Sequence, residues 1–299
     1  MKVGLLSLDS KNKNFALEKV RKYYKNKKIK VEDFEPLTSY KEVWISKIFT
    51  ETKDYDGFLF ADKVFRGGTG YDIKSNLPKE IEIIKPKLNF GFLTRGCIRN
   101  CSFCVVPSKE GKLYIEAENG LLDLWDGKSK EITVMDNNIT GNKKYFLEIL
   151  KQAQELKLKL DFNQGLDIRL IDDEMCYELK KTKTKDIRFA FDNIKLFPLI
   201  KKKMKILHKY KIKGMWYVLS GFDSTIKEDI FRVNYLIANK QRAYLMRHKN
   251  CNKSKKHILL ASWVNSPLWG KGNIPFEVFL KETEYGKRYQ KYFVDSDYK

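Results

Sequence analysis

From Leu88 onward the chain alternates, about six times, between short apolar stretches of strand character and amphipathic stretches of helical spacing. That repetition restricts the fold more than any other feature. Strands are predicted at 89–94, 131–136, 158–163, 185–191, 214–220 and 241–247, with helices at about 115–126, 142–156, 172–181, 196–210 and 224–239. Right-handed crossovers wind such units into a parallel sheet that curls into an open barrel. The expected fold class is therefore α/β: a partial (β/α)6 barrel over residues 88–250, preceded by a small α/β domain over 1–65.

In such barrels the chemistry sits at the carboxyl ends of the strands, and that rule selects residues. Asp136, Asn137 and Asn138 leave the second strand; Gln164, Asp167 and Arg169 leave the third; Asp192 leaves the fourth, Gly221 the fifth, and Arg247 and His248 the sixth. Asp and Asn after a strand are also ordinary helix caps and turn formers. Asp223-Ser224-Thr225 with Glu228 reads as a capping box, and Asp172 and Asp173 as first-turn residues. The run N-Q-G-L-D-I-R holds more polar and glycine positions than a cap needs, which favours Gln164, Asp167 and Arg169 as pocket residues.

The first barrel strand runs into F-G-F-L-T-R-G-C-I-R-N-C-S-F-C, a loop carrying Cys97, Cys101 and Cys104, three of the five cysteines. Thiolates spaced Cys-x3-Cys-x2-Cys can converge on one face of a four-iron cube and leave its fourth corner unfilled. Zinc is the rival. It needs a fourth ligand and usually a second close pair, and the nearest set, His248, Cys251 and His257, is loosely spaced. Arg95 and Arg99 flank the loop, placed either to steady anionic sulfur or to face solvent.

Cys97-x3-Cys101-x2-Cys104, with Phe103 before the last cysteine, resembles the signature of the radical S-adenosylmethionine (radical SAM) enzymes. The resemblance implies a 4Fe–4S cluster on the three cysteines, S-adenosylmethionine on the open iron, and reductive cleavage to a 5′-deoxyadenosyl radical that abstracts hydrogen from substrate. It implies the same partial barrel, Phe103 near the adenine, and an external electron donor of flavodoxin or ferredoxin type. Asp136, Asn138, Gln164, Asp167, Arg169, Asp192 and Gly221 then become candidates for holding cofactor and substrate. The N-terminal unit resembles the cobalamin-binding or methylthiotransferase-type domains that precede some of these barrels. It lacks an Asp-x-His-x-x-Gly segment, because the first histidine is His208, and no cysteine precedes Cys97. Cobalamin and a second cluster are therefore not expected.

Within the N-terminal unit, strands are predicted at 2–8, 29–34 and 55–61 and helices at 13–25 and 40–49. Residues 66–87 form a connector in which Gly67, Gly68 and Gly70 either make turns or cradle an anion. Residues 251–299 form an aromatic, basic extension in which Trp263, Trp269 and Phe276 either build a helical lid or stack on nucleic-acid bases. The formal charge of +21 would concentrate RNA or DNA at the surface, although a lysine-rich genome gives the same composition. The N-terminus is too short and too soon interrupted by lysine for a signal peptide, no run is long enough to span a membrane, and the cysteine usage suits a reducing cytoplasm. The expected substrate is a nucleic-acid base. Small-molecule or peptide modification is the rival within the class, and a noncatalytic iron–sulfur or zinc nucleic-acid-binding protein is the rival outside it.

Overall fold

The computed structural model describes residues 2–10, 13–266 and 274–298, so Trp269 lies outside the described residues. The N-terminal part is a parallel four-stranded sheet of β1 (Lys2–Ser7), β2 (Lys30–Asp33), β3 (Tyr40–Ser46) and β4 (Ala61–Gly67), ordered β2-β1-β3-β4. Helix α1 (Phe15–Asn26) begins where the Asn14 side chain accepts the Leu17 N–H, and it lays Leu17, Val20 and Tyr24 on Val3, Leu5 and Trp44. Two expectations fail here. Residues 40–46 are strand rather than helix, and the strand expected at 55–61 begins only at Ala61. β3 lies between β1 and β4 and is buried continuously from Val43 to Ser46. A strand covered on both faces loses its alternation and presents an apolar run that helical spacing also fits.

Arg66 and Gly67, expected in the connector, end β4. Gly70 N–H donates to the Lys47 carbonyl (2.9 Å), and a Cβ on Gly68, at φ +102°, would stand 2.3 Å from the same oxygen. These glycines serve a close backbone approach. Helix α2 (Lys79–Glu82) returns Ile81 to the α1 cluster and Glu82 to Lys19, at 2.7 Å.

β5 (Phe90–Gly91) leads into an antiparallel hairpin of β6 (Thr94–Arg95) and β7 (Tyr114–Ile115), which encloses the short helix α3 (Val106–Lys109). Five further strands follow: β8 (Glu131–Val134), β9 (Lys159–Phe162), β10 (Ile187–Ala190), β11 (Gly214–Ser220) and β12 (Arg242–Arg247). β5-β8-β9 and β10-β11-β12 are parallel sheets, joined where Leu160 bridges Thr184 in parallel register. Six strands thus lie side by side in chain order. Helices α4 (Lys143–Glu155), α5 (Asp173–Lys181), α6 (Phe197–Lys209) and α7 (Ile226–Ala238) make the crossovers. The helix expected at 115–126 is reduced to one 3-10 turn, Gly120–Asp123. Glu116 and Ala117 both donate their N–H to the Leu93 carbonyl, and Gly120 sits at φ +60°, so a helix cannot start earlier.

One sheet face supplies Ile132, Val134, Phe162, Trp216, Val218 and Leu245 to a single large core shared with the crossover helices. The C-terminal helices α8 (Lys255–Asn265), α9 (Phe276–Glu282) and α10 (Glu284–Tyr289) extend that core, with Trp263, Phe276 and Phe279 fully buried. Each such side chain contributes about 1.5–3 kcal/mol. Asn265 closes the free edge of β12, accepting the Leu245 N–H and donating to its carbonyl, both at 2.9 Å. The extension is a structural part of the core, and its Trp263 and Phe276 have no free face for stacking on bases. No described helix is long and apolar enough to cross a membrane.

Candidate functional site

Cys97, Cys101 and Cys104 all lie within the β6–β7 hairpin. Its neck is closed by Arg95, whose guanidinium makes a two-pronged pair with Glu110 (2.7 and 2.6 Å) and rests on the Phe92 ring at 4.3 Å. Arg95 is therefore committed to the neck and does not steady the sulfurs. Gly96, at φ +76°, allows the two limbs to touch, since a Cβ there would stand 2.2 Å from the Lys112 carbonyl. Cys97 N–H then reaches the Gly111 carbonyl at 3.2 Å. Lys109 donates to the Ser75 carbonyl and to Asn76 Oδ1 (3.3 Å), tying the hairpin to the glycine connector.

Two donors reach Cys97 Sγ: the Arg99 N–H at 3.3 Å and Asn138 Nδ2 at 3.4 Å. Thr140 Oγ1 donates to Asn138 Oδ1 (2.8 Å) and accepts the Asp167 N–H (3.1 Å), which turns the amide's NH2 toward the sulfur. Asp167 gathers Arg99 Nε at 3.1 Å and Arg169 at 2.6 and 2.9 Å. Burial raises the Asp167 carboxyl, but the Arg169 and Arg99 guanidiniums outweigh it and hold the group below the usual range. Arg169 lies within electrostatic reach of Cys101 as well. Burial pushes the Cys104 thiol up, and Cys101, Cys97 and Asp192 act in the same direction.

The hairpin lies over the carboxyl ends of β11 and β12. Phe103 meets Phe222 edge-on with centroids 5.6 Å apart, and Phe222 meets His248 at 4.9 Å. Of the residues selected by the strand-end rule, Asn138, Asp167, Arg169 and Asp192 are brought to the cysteines. Asp192 accepts the Leu219 N–H at 3.3 Å, and burial pushes its carboxyl up. Asp136 faces elsewhere. Its buried carboxyl accepts the Leu93 N–H (2.7 Å), the Thr94 N–H (2.6 Å) and the Thr94 hydroxyl (2.5 Å), fixing the β5–β6 corner, and burial pushes it up to about 7 against those donors. Gly221, at φ +76°, backs onto Cys251, whose Sγ would stand 2.5 Å from an added Cβ. Gln164 is exposed at its strand exit.

Thr140 and Phe222 were not singled out from the sequence. Phe222 had a signal, since it follows Gly221 out of a strand; Thr140 had none. In the rival zinc set, Cys251 Sγ donates to the His248 carbonyl at 3.1 Å and His257 Nδ1 meets Ser254 Oγ at 2.8 Å. Among the described residues no three His, Cys, Asp or Glu side chains are gathered around a single ion position. A cubane takes one thiolate on each of three irons, so its ligands need not gather on a point.

No family model matches the sequence, and no curated protein matches it. Among solved structures the chain is similar to the radical S-adenosylmethionine methyltransferase TsrM from Kitasatospora setae with cobalamin and a 4Fe–4S cluster bound. The identity is 12%, the TM-score 0.60, and the match covers 82% of this chain and 74% of that one. It is also similar to the same methyltransferase with tryptophan substrate and the SAM analog aza-SAM, at 12% identity and TM-score 0.59, covering 82% and 72%. What is shared at this identity is the fold. That neighbour is a structure with cobalamin bound, the cofactor not expected here from the sequence.

Proposed function

We propose that the chain is a radical S-adenosylmethionine enzyme whose Cys97, Cys101 and Cys104 hold a 4Fe–4S cluster. The observation that carries this reading is a neck-closed hairpin bearing three thiols over the carboxyl ends of parallel strands, in a fold shared with a radical S-adenosylmethionine methyltransferase.

The donor set fits such a cluster. Cys97 already receives two N–H donors and Cys101 lies beside a guanidinium, groups that would stabilise thiolate charge and tune a cluster held there. When bound, the cluster supplies the electron that cleaves S-adenosylmethionine at its sulfonium. The protein's own part is positional. Asn138 and the Arg99 N–H stabilise negative charge on Cys97, and Asp167 fixes both guanidiniums. Phe103 and Phe222 supply apolar ring surface for the adenine, and Asp192 supplies a half-buried carboxyl close to Cys104. An external flavodoxin-like or ferredoxin-like protein is the electron source in this reading. The basic surface supports a nucleic-acid substrate, while the burial of Trp263 and Phe276 withdraws the C-terminal aromatics from that argument.

The test is anaerobic reconstitution with iron and sulfide, reduction, and assay for 5′-deoxyadenosine and methionine, with and without added cobalamin. Wild type should bind about four irons and release both products. Cys97→Ala, Cys101→Ala and Cys104→Ala should lose them, and Cys176→Ala should not. An intact cluster that yields neither product removes the enzymatic reading; uptake of zinc in preference to iron removes the cluster.

A further inference from the structure

The second face of the two joined three-stranded sheets does not join the core, and its composition is informative. Along β11 and β12 the side chains alternate: Trp216, Val218, Ala243 and Leu245 are buried among the helices, whereas Tyr217, Tyr244 and Met246 are not. Tyr217 and Tyr244 are register partners and meet edge-on at 6.0 Å, which places both rings on one face. This face begins at the strand ends under the cysteine hairpin.

Its charges are already matched. Lys159 pairs with Glu131 (3.1 Å), Lys185 with Glu131 (3.5 Å) and Asp161 (3.6 Å), Arg188 with Asp161, and Arg242 with Asp186. In a chain of formal charge +21 this face thus presents no strand cation without a carboxylate. One polar group is left over. Asn137 continues the partly exposed alternation of Thr133 and Met135, and its buried Nδ2 has no hydrogen-bond partner. A buried amide donor without an acceptor is costly and points to a ligand atom that accepts from it.

We infer that the substrate group entering this site is an uncharged planar heteroaromatic ring, flanked by Tyr217, Tyr244 and Met246 and accepting a hydrogen bond from Asn137. Ring edges and a thioether suit a flat π surface. On this face of the described strands each cation has a carboxylate, and Arg247, which has none, stands at the carboxyl end of β12 with the opposite parity, so a phosphate attached to the substrate is placed toward that strand end and not against the tyrosines. The inference rests on the proposed enzymatic site but concerns its substrate class alone.

The experiment uses the anaerobically reconstituted chain with saturating S-adenosylmethionine and no reductant, so that binding is read without turnover and the adenine site is filled. Saturation-transfer NMR and calorimetry compare L-tryptophan and cytidine as ring probes, cytidine 5′-monophosphate as the charged counterpart, L-leucine as the ringless control, and a short cytidine-containing RNA. At least one ring probe should bind, leucine should not, and the monophosphate should bind no tighter than cytidine. Tyr217→Ala and Tyr244→Ala should each weaken the ring probe about tenfold, while Tyr217→Phe and Tyr244→Phe, which keep the ring, should restore it. Binding by RNA alone, lost in the Tyr→Ala variants, identifies the ring's source as a polynucleotide; binding by a free probe identifies a small molecule. The inference is overturned if no probe binds while 5′-deoxyadenosine forms on reduction. It is overturned equally if the monophosphate binds tighter than cytidine, or if the Tyr→Ala variants, folded by circular dichroism, bind as wild type. Failure of the cleavage assay is a separate result and overturns the enzymatic reading.

Discussion

Asp167→Asn isolates the carboxylate that ties the cysteine hairpin to the β9–α5 segment. An asparagine in the same rotamer keeps one oxygen, which can serve the Arg169 Nε and backbone N–H now held by Oδ1. It loses the Oδ2 bonds to Arg99 Nε (3.1 Å) and Arg169 Nη2 (2.9 Å), and its NH2 then faces both guanidiniums. Two hydrogen bonds to a charged acceptor are worth about 1.5–3 kcal/mol each. The arginine side chains are 33% and 27% exposed, so water recovers part of this, and a net loss of about 2–3 kcal/mol is expected. The pH dependence has a definite sign. The folded carboxyl lies below its ordinary value, so its stabilisation is fully present above the unfolded carboxylate range and disappears as pH falls through the folded value. Urea unfolding of the metal-free chain at a series of pH values gives the test. The gap between wild type and variant should be full near neutrality and shrink as the medium is acidified. Equal stability at neutral pH, or a gap that ignores pH, would refute the bridging role.

Two further outcomes follow from the geometry. Gly68→Ala places a methyl 2.3 Å from the Lys47 carbonyl at φ +102° and should cost at least about 3 kcal/mol, whereas Gly111→Ala, at φ +74° with open space around it, should cost about 1 kcal/mol; chemical denaturation that ranks them otherwise contradicts the close-approach account. Arg232→Met removes the partner of fully buried Asp229 and the donors to the Phe191 and Leu219 carbonyls, and should lower stability by about 3–5 kcal/mol in urea; a neutral result would mean that Ser220 and Ser224 alone satisfy Asp229.

The main sheet was legible because its strands and crossover helices advertise themselves locally. The run predicted at 214–220 is β11 to the residue, the Thr225–Glu228 capping box stands where the side chains dictate, and of the two expected first-turn residues Asp173 opens α5 while Asp172 is its cap. β3 was not legible, since burial on both faces removes the alternation that distinguishes strand from helix. The cysteines were legible as a group, but their surroundings were not. Asp136 meets Leu93 and Thr94 from 43 and 42 residues away, and nothing in V-M-D-N-N distinguishes a carboxylate that braces a corner from Asn138, which reaches a sulfur. The pairing of charges across the sheet face depends on register between distant strands, and a composition of +21 conceals it.

The Arg95–Glu110 clasp shuts the cysteine loop with protein groups alone. In the proposed enzyme a cluster would then not be what holds the loop's limbs together, since the clasp and the Lys109 tie to Ser75 keep the three thiols in place above the sheet without it. Removal and restoration of the proposed cluster should accordingly leave the circular dichroism of the polypeptide unchanged.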